Sequence, residues 1–247
     1  MAIKAFDLEL VSAKMITPNV KHLVLKRVDG EAFEFTAGQF ITFLFDCGQA
    51  KPKRRSYSIA SMPKENNNPY EIEIAVSYVE GGIATKNLFE MQPGDQFSAT
   101  GPAGRLVLRD ESVKRLILVG TGTGIAPYRA MLPELADKVT KANIQVEVLL
   151  GVQYRKDALY AEDFLQFAHF YNNIKFTACL SREPEGLENH EHQGYVQSKF
   201  DQLALNPLED VVYLCGNPDM IDQAYELLKD KGFDIKNVRR EKYISSN

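Results

Sequence analysis

The chain has 247 residues, of which 45% are hydrophobic and 25% charged, and its formal net charge is −4. This length supports a large buried core, in one domain or in two. No apolar run reaches the ~20 residues that span a bilayer, and the acidic balance disfavours nucleic acid as a main partner. Three cysteines, Cys47, Cys179 and Cys215, cannot all pair, which favours a reducing compartment and excludes a four-cysteine metal site. We therefore expect a monomeric cytoplasmic protein without a membrane span or a metal.

Short strands separated by turn residues occupy the chain up to about residue 105. The segment EIEIAVSY (71–78) alternates, so that Ile72, Ile74 and Val76 share one face with Tyr78. Further strands are predicted over 21–28, 40–45, 54–61 and 96–100. Many short strands with turns at this spacing indicate an antiparallel β-barrel, which we assign to residues 1–105.

After GPAGR (101–105) strands begin to alternate with helices. Strand-length segments lie at 116–120, which is fully apolar, and at 146–151, 174–180, 211–215 and 238–244, with helical segments at 125–138 and near 160–170, 195–205 and 219–231. This alternation predicts that residues 106–247 form an α/β domain with a doubly wound, five-stranded parallel sheet. With the strand order 3-2-1-4-5, ligands would bind where the first and fourth strands end.

The segment GTGTGIAP (120–127) follows the first of these strands and opens a helix. Glycines at such a place let the backbone approach a diphosphate, and the helix N-terminus adds N–H donors. The spacing is G-x-G-x-G, and no Lys precedes a Ser or Thr, so a P-loop is excluded. A structural glycine turn remains the alternative.

The segment CGNPDM (215–220) follows the fourth strand. Asn217 is a good N-cap and Pro218 a good first helical residue. Cys215 ends the strand where a ligand would lie, although a small buried hydrophobic residue is the alternative reading.

In RRSYSIAS (54–61), arginines precede an alternating strand. Arg55 would pair with a phosphate, an exposed Tyr57 would stack on a ring, and Ser58 would donate to a ring nitrogen. A solvated strand edge is the alternative. In GGIATKNL (81–88), Thr85 is expected to N-cap a short helix whose free N–H groups face a phosphate.

Two histidines, His190 and His192, lie in NHEHQ (189–193) without a further cluster of metal ligands. We expect a solvated loop there.

Together these motifs resemble the ferredoxin–NADP reductase superfamily of flavoprotein reductases. The similarity is ordered and covers nearly the whole chain. It is carried by AGQF (37–40), RSYS (55–58), GGIATKNL, GPAG (101–104), GTGTGIAP, LLGVQYRKDALYAEDF (149–164), CGNPDM, and the pair Glu241 and Tyr243.

The resemblance implies an FAD-binding barrel and an NAD(P)-binding α/β domain. It implies a catalytic group consisting of Ser58 beside the flavin N5, Cys215 near the nicotinamide, and Glu241 for proton traffic. The implied FAD contacts are Arg55, Ser56, Tyr57, Ser58, Ile74, Val76, Gly82, Ile83, Ala84, Thr85 and Tyr243. The implied NAD(P) contacts are Gly120, Thr121, Gly122, Thr123, Ser181, Arg182, Tyr195, Cys215, Gly216, Asn217, Asp219 and Met220.

The resemblance further implies hydride transfer from NAD(P)H to FAD, then single-electron transfer to a separate ferredoxin, flavodoxin or oxygenase component. A free-flavin reductase is one alternative. A non-catalytic nucleotide- or flavin-binding regulatory subunit is another, against which the retention of Ser58, Cys215 and Glu241 argues. A basic cluster, Lys51, Lys53, Arg54 and Arg55, could steer an acidic carrier, or it could be ordinary solvated surface.

NADPH is favoured over NADH because Ser181 and Arg182 match residues that bind the 2′-phosphate in NADPH-using relatives, and Tyr195 matches a residue that stacks on adenine. Against this, Gln193 replaces a basic residue, and four carboxylates, those of Glu183, Glu185, Glu188 and Glu191, would repel a phosphate. NADH stays open as the alternative.

Overall fold

A computed structural model describes residues 5–45, 52–63, 69–109 and 113–243. Cys47 and Lys51 lie outside the described residues. The described residues form two compact units, one drawn from 1–108 and 126–131 and the other from 109–125 and 132–246. No described helix combines the length and the apolar character needed to cross a membrane.

The first unit is an antiparallel six-stranded sheet with one short helix. Its elements are β1 (Phe6–Thr17), β2 (Val20–Arg27), β3 (Phe40–Phe45), β4 (Lys53–Ser58), β5 (Glu71–Ser77), α1 (Ile83–Glu90) and β6 (Gln96–Ala103). The strand order is β4-β3-β6-β1-β2-β5. Alternate residues, such as Leu23 and Leu25 on β2 and Ile72 and Ile74 on β5, point into one core. The predicted antiparallel barrel is confirmed.

The strand β1 is the element of this unit that the alternation did not predict. Its pairing with β2 shifts register between Leu10 and Ser12 and again between Met15 and Thr17. Each shift moves the apolar positions to the other face, so the period of two is interrupted along this strand.

The second unit is a parallel sheet with helices. Its elements are β7 (Arg115–Thr121), the part of α2 (Ala126–Ala142) from residue 132 on, β8 (Gln145–Val152), α3 (Ala161–Phe170), β9 (Ile174–Leu180), β10 (Glu191–Gln193), β11 (Asp210–Gly216), α4 (Pro218–Asp230) and β12 (Val238–Lys242). The strand order is β10-β9-β8-β7-β11-β12. The five predicted strands take the predicted order, with β7 and β11 as neighbours.

Two local predictions for the second unit were wrong. The sheet has six strands, because Glu191–Gln193, predicted as loop, pairs in parallel with Ala178–Leu180 of β9. The predicted helix over 195–205 is instead a 3₁₀ turn, Val196–Lys199, followed by further turns. Val196 and Phe200 are nevertheless buried in the core. Their i, i+4 spacing is typical of a helix, but a 3₁₀ turn followed by other turns buries them equally well.

Candidate functional site

The barrel has an open seam between its two edge strands. In the described residues β4 pairs with β3 alone and β5 with β2 alone, apart from a single bridge between Ile59 and Ile74. Next to that bridge the amide of Ala60 donates to the carbonyl of Glu73, at 2.7 Å. The antiparallel direction set by the bridge means that the seam runs outward from Ser58 toward Arg55. On the β4 side of the seam Arg54 and Ser56 are exposed, so a ligand can approach this strand edge, whereas Ile72, Ile74 and Val76 of β5 are fully buried.

The RSYS motif forms one border of this seam. Ser58, at the closed end, is only 5% exposed, whereas Ser56 is exposed and its hydroxyl lies 2.8 Å from that of Thr42. Tyr57 was expected to be exposed, but it is partly buried, with its ring centroid 5.2 Å from that of Phe43. Burial raises the pKa of Tyr57 to about 12, so its hydroxyl stays protonated at neutral pH.

The other border leads from β5 into a glycine turn. Ile74 and Val76, predicted to contact FAD, are fully buried, backbone included, and belong to the barrel core, so the structure does not expose them to a ligand. Gly81 has φ +72°, and nothing lies within 4 Å of a Cβ built there. The turn can therefore approach a ligand closely at this position.

Helix α1 begins directly after this turn, and Thr85 does not cap it. The N-cap is Gly82, and no side chain bonds to the cap position. The hydroxyl of Thr85 lies within its first turn, is 8% exposed, and is 3.1–3.2 Å from Val79 N, Val79 O and Gly82 O. Thr85 therefore fixes the shape of the turn, while Ile83 is half exposed beside it. No side chain caps the backbone N–H groups of the first turn, so their binding of a phosphate stays a prediction. Ala84 lies in this turn too, partly exposed.

Two different constraints act on the glycines of GTGTG. A Cβ at Gly120 would lie 2.9 Å from Gly124, and a Cβ at Gly124 only 2.4 Å from the carbonyl oxygen of Cys215. These two positions are explained by packing alone, as the structural-turn alternative requires. Gly122 differs, because its φ is +51° and nothing lies within 4 Å of a Cβ there. Its surroundings leave room for a ligand to approach the backbone.

The loop after β11 lies against the glycine loop. The amide of Asn217 donates to the hydroxyl of Thr121 at 2.9 Å, and a Cβ at Gly216 would lie 2.6 Å from the same hydroxyl. Asn217 caps α4 by accepting from the amides of Asp219 and Met220, and Pro218 is the first helical residue. The predicted cap is confirmed. Thr123 and Asp219 are accessible, whereas the Met220 side chain is buried in the core.

Three of the predicted residues meet at the ends of β11 and β12. Cys215 is fully buried and pairs in register with Glu241, while the amide of Tyr243 donates to the carbonyl of Gly216 at 2.8 Å. Burial raises the pKa of the Cys215 thiol well above its ordinary value; the Glu241 carboxylate raises it further, and a hydrogen bond with Tyr243 opposes the shift. Cys215 is therefore a neutral thiol at physiological pH.

A separate group lies at the β9 edge of the sheet. The amides of Ser181 and Arg182 donate to the carbonyls of Val152 and Gln153, at 3.0 and 2.9 Å. The Ser181 hydroxyl also donates to Val152, at 3.3 Å. Arg182 is exposed, and its side chain makes no hydrogen bond or ion pair with the part of the chain that the structure describes. Tyr195 is 71% exposed.

Sequence reasoning missed Arg155, in the 3₁₀ turn after β8. It binds the carboxylate of Glu191 at two points and the carbonyl of Gly186. The four glutamates of the following loop were read only as charges that repel phosphate. An excess of glutamates in one loop indicates that a cationic side chain lies close to them in space. That side chain, Arg155, precedes the loop by about thirty residues in the chain.

Two family models match the chain in succession. The oxidoreductase FAD-binding domain matches residues 7–108, and the oxidoreductase NAD-binding domain matches residues 118–226. These matches assign the barrel and the parallel sheet to a two-domain flavin- and nicotinamide-dependent oxidoreductase.

The chain is similar to ferredoxin–NADP reductase B of Sorangium cellulosum, with 31% identity over 245 residues that cover 96% of this chain and 97% of the relative. It is 25% identical to the toluate 1,2-dioxygenase electron transfer component of Pseudomonas putida, over 98% of this chain and 68% of the relative. The fold matches that of a ferredoxin NADP+ reductase from Neisseria gonorrhoeae with bound FAD and NADP, at a TM-score of 0.82, 20% identity, and coverage of 98% and 99% of the two chains. The chain belongs to the ferredoxin–NADP reductase family.

Substituting the glycines of GTGTG one at a time should separate their two functions. Gly124→Ala should destabilise the fold by more than about 4 kcal/mol, since the new methyl group would overlap the backbone of Cys215 and Gly216. Gly122→Ala should cost only about 1–2 kcal/mol for its left-handed conformation, yet raise the KM for NADPH and NADH alike by roughly tenfold. Circular dichroism melting and steady-state kinetics measure the two effects. An unchanged KM in Gly122→Ala would make this glycine a purely structural one.

Proposed function

We propose that the chain is an NADPH-dependent flavoprotein reductase that passes electrons through FAD to a separate acceptor protein. Its family and its two cofactor-binding domains make it an oxidoreductase of FAD and NAD(P)H. The observation that carries the proposal is the open seam, bordered on one side by the RSYS motif and on the other by β5 and the glycine turn. The seam combines unpaired strand edges with the polar groups that a flavin needs.

Arg55 and the start of α1 would hold the FAD phosphates. A guanidinium suits a phosphate because its N–H groups can bind two oxygens at once. The glycine turn at Gly81 and Gly82 allows close approach, and the uncapped N–H groups of α1 add donors and a partial positive charge. Thr85 would hold this turn in shape.

Ser58 would orient the reacting end of the flavin. Its hydroxyl lies at the closed, buried end of the seam, where a hydrogen bond is stronger than in water. Tyr57, already packed against Phe43, would present its remaining face to the ring. When bound, FAD accepts two electrons as a hydride and returns them singly.

The loops after β7 and β11 would hold the dinucleotide. Gly122 leaves room for the diphosphate, and the hydrogen bond from Asn217 to Thr121 joins the two loops into one surface. Cys215 contributes a neutral, buried thiol that neither attacks nor charges the site. Glu241, paired in register with Cys215, is the carboxylate placed to exchange a proton there.

The flavin step tests this proposal most directly. Reconstitution with FAD should give flavin absorption bands that bleach on addition of NADPH. Ser58→Ala should slow that bleaching by about 10–1,000-fold, the effect of losing one positioned donor. Stopped-flow absorbance measures it, and Ser98→Ala, at a partly exposed serine on β6 that donates to Asp7, is the matched control.

Two outcomes would contradict this account of the flavin site. Absence of flavin bands after reconstitution would remove the flavoprotein assignment itself. Bleaching of Ser58→Ala at the rate of the unaltered protein would leave FAD in place but remove Ser58 from the hydride step.

The acceptor would be an acidic carrier protein. Lys53, Arg54 and Arg55 follow one another on edge strand β4, and Arg54 is exposed. Lys51, the fourth member of the predicted cluster, lies outside the described residues. A cluster of one sign raises the encounter rate with an oppositely charged partner.

Steering of this kind should appear as a dependence on salt. Reduction of an acidic ferredoxin should slow as salt is raised from low ionic strength, and Lys53→Glu should slow it by about tenfold at low salt. Lys14→Glu, on β1 and away from β4 in the strand order, should have little effect. Stopped-flow reduction of the carrier is the measurement. A rate of carrier reduction that changes neither with salt nor with Lys53→Glu would show that the cluster is ordinary solvated surface.

NADPH is the proposed electron donor because Arg182 is exposed and free to bind a 2′-phosphate. Three of the glutamates that would oppose this, Glu183, Glu188 and Glu191, are drawn toward Arg155. Tyr195, highly exposed, is available to stack on adenine.

Removing the guanidinium should therefore affect one nucleotide only. Arg182→Ala should raise the KM for NADPH by roughly tenfold or more, the loss of one charge-assisted contact, and leave NADH kinetics nearly unchanged. Steady-state kinetics with both nucleotides provide the comparison. Equal effects on both, or a preference of the unaltered protein for NADH, would overturn the assignment of NADPH.

A further inference from the structure

One loop of the second unit is organised around a single arginine. The Nε and Nη2 atoms of Arg155 donate to the two carboxylate oxygens of Glu191, at 2.6 and 2.5 Å, and Nη2 also donates to the carbonyl of Gly186, at 2.7 Å. The backbone amide of Arg155 donates to the carboxylate of Glu183, at 2.8 Å. One residue thus holds three points of the loop that follows Arg182.

The partner carboxylate is itself fully engaged. The side chain of Glu191 is only 1% exposed, and its Oε2 also accepts from the amide of Glu188, at 2.8 Å. The hydrogen bonds from Arg155 lower the pKa of Glu191, so this carboxylate stays ionised at neutral pH. A two-point pair between a guanidinium and a buried carboxylate fixes direction as well as distance, which a surface ion pair does not.

The same segment contains the residues proposed to select the nucleotide. Arg182 comes immediately before Glu183, and its amide donates to the carbonyl of Gln153, two residues before Arg155. At the other end, Glu191 begins β10, which precedes Tyr195. Ser198 links this strand to Tyr195: its hydroxyl lies 2.9 Å from Nε2 of His192 and donates to the carbonyl of Tyr195 at 2.7 Å.

We propose that the Arg155–Glu191 pair is a positioning element for NADPH selection. It holds the 183–191 loop folded, so that Arg182 stays available to the 2′-phosphate and the carboxylates of the loop stay turned toward Arg155. The inference rests on the proposed function, in which Arg182 binds that phosphate. Arg155 and Glu191 touch no substrate and act through Arg182.

Two single substitutions distinguish positioning from simple charge. Arg155→Met removes a positive charge, and Glu191→Gln removes a negative one. If only the local charge mattered, the two would change phosphate affinity in opposite directions. If the pair positions the loop, both substitutions weaken phosphate affinity. Glu191→Gln does so because the amide places an N–H group against the donors of Arg155 or of Glu188.

We expect each variant to raise the KM for NADPH about tenfold, the loss of roughly one charge-assisted contact, while kcat and the KM for NADH change less than about twofold. The double variant should be no worse than either single one, because both break the same pair. Lys156→Met, which removes the same charge from the next residue of the same exposed turn, is the matched control and should behave as the unaltered protein.

Two measurements do not depend on turnover. Titration calorimetry with adenosine 2′,5′-bisphosphate and with AMP should show weakened binding of the bisphosphate alone. Hydrogen exchange should be faster at the amides of Arg155 and Glu188 in both variants and unchanged in Lys156→Met, because those amides donate to carboxylates of the loop.

Four results would overturn the inference. Opposite effects of Arg155→Met and Glu191→Gln on NADPH would show that charge alone acts. Equal losses with NADPH and NADH, together with a lowered melting temperature, would show a merely structural pair. A preference of the unaltered protein for NADH would overturn the proposed donor and this inference with it, whereas unchanged variants of an NADPH-preferring protein would overturn this inference alone.

Discussion

The two loops that leave β7 and β11 approach so closely that Gly124 and Gly216 leave no room for a Cβ between them. A Cβ at Gly124 would overlap the carbonyl of Cys215, and one at Gly216 would overlap the hydroxyl of Thr121. Because β7 and β11 are parallel neighbours, both loops must leave at the same edge of the sheet. The start of α2, the cap of α4 and the burial of Cys215 all depend on this close crossing.

The same constraint explains why one motif serves both folding and binding. Gly120 and Gly124 are glycines because the protein's own backbone lies against them, whereas Gly122 faces open space. A motif of this kind cannot be divided into structural and functional halves from spacing alone. The structure separates the two kinds of glycine. The Arg155–Glu191 pair, in the role proposed for it, would likewise affect nucleotide binding only through the loop that it holds in place.

Much of the fold follows from local pattern, since the sheet order, the Asn217 cap and the barrel strands depend on periodicity and turn chemistry. Other features do not. Register shifts conceal β1, and β10 has only three residues, too few to show a period. Thr85 has the type of a capping residue, but the helix begins at Ile83, so Gly82 is the cap and the Thr85 hydroxyl bonds to the preceding turn instead. Local sequence pattern does not predict the contacts of Arg155, because its partner Glu191 is thirty-six residues away in the chain.

The seam between β4 and β5 also bears on how the protein behaves before its cofactor arrives. Beyond the single bridge, β4 presents an edge with exposed residues that can accept a strand from another molecule. A ligand bound along this edge would favour the folded protein by mass action and cover the edge. In this protein the availability of flavin in the cell would therefore set resistance to aggregation as well as catalytic capacity.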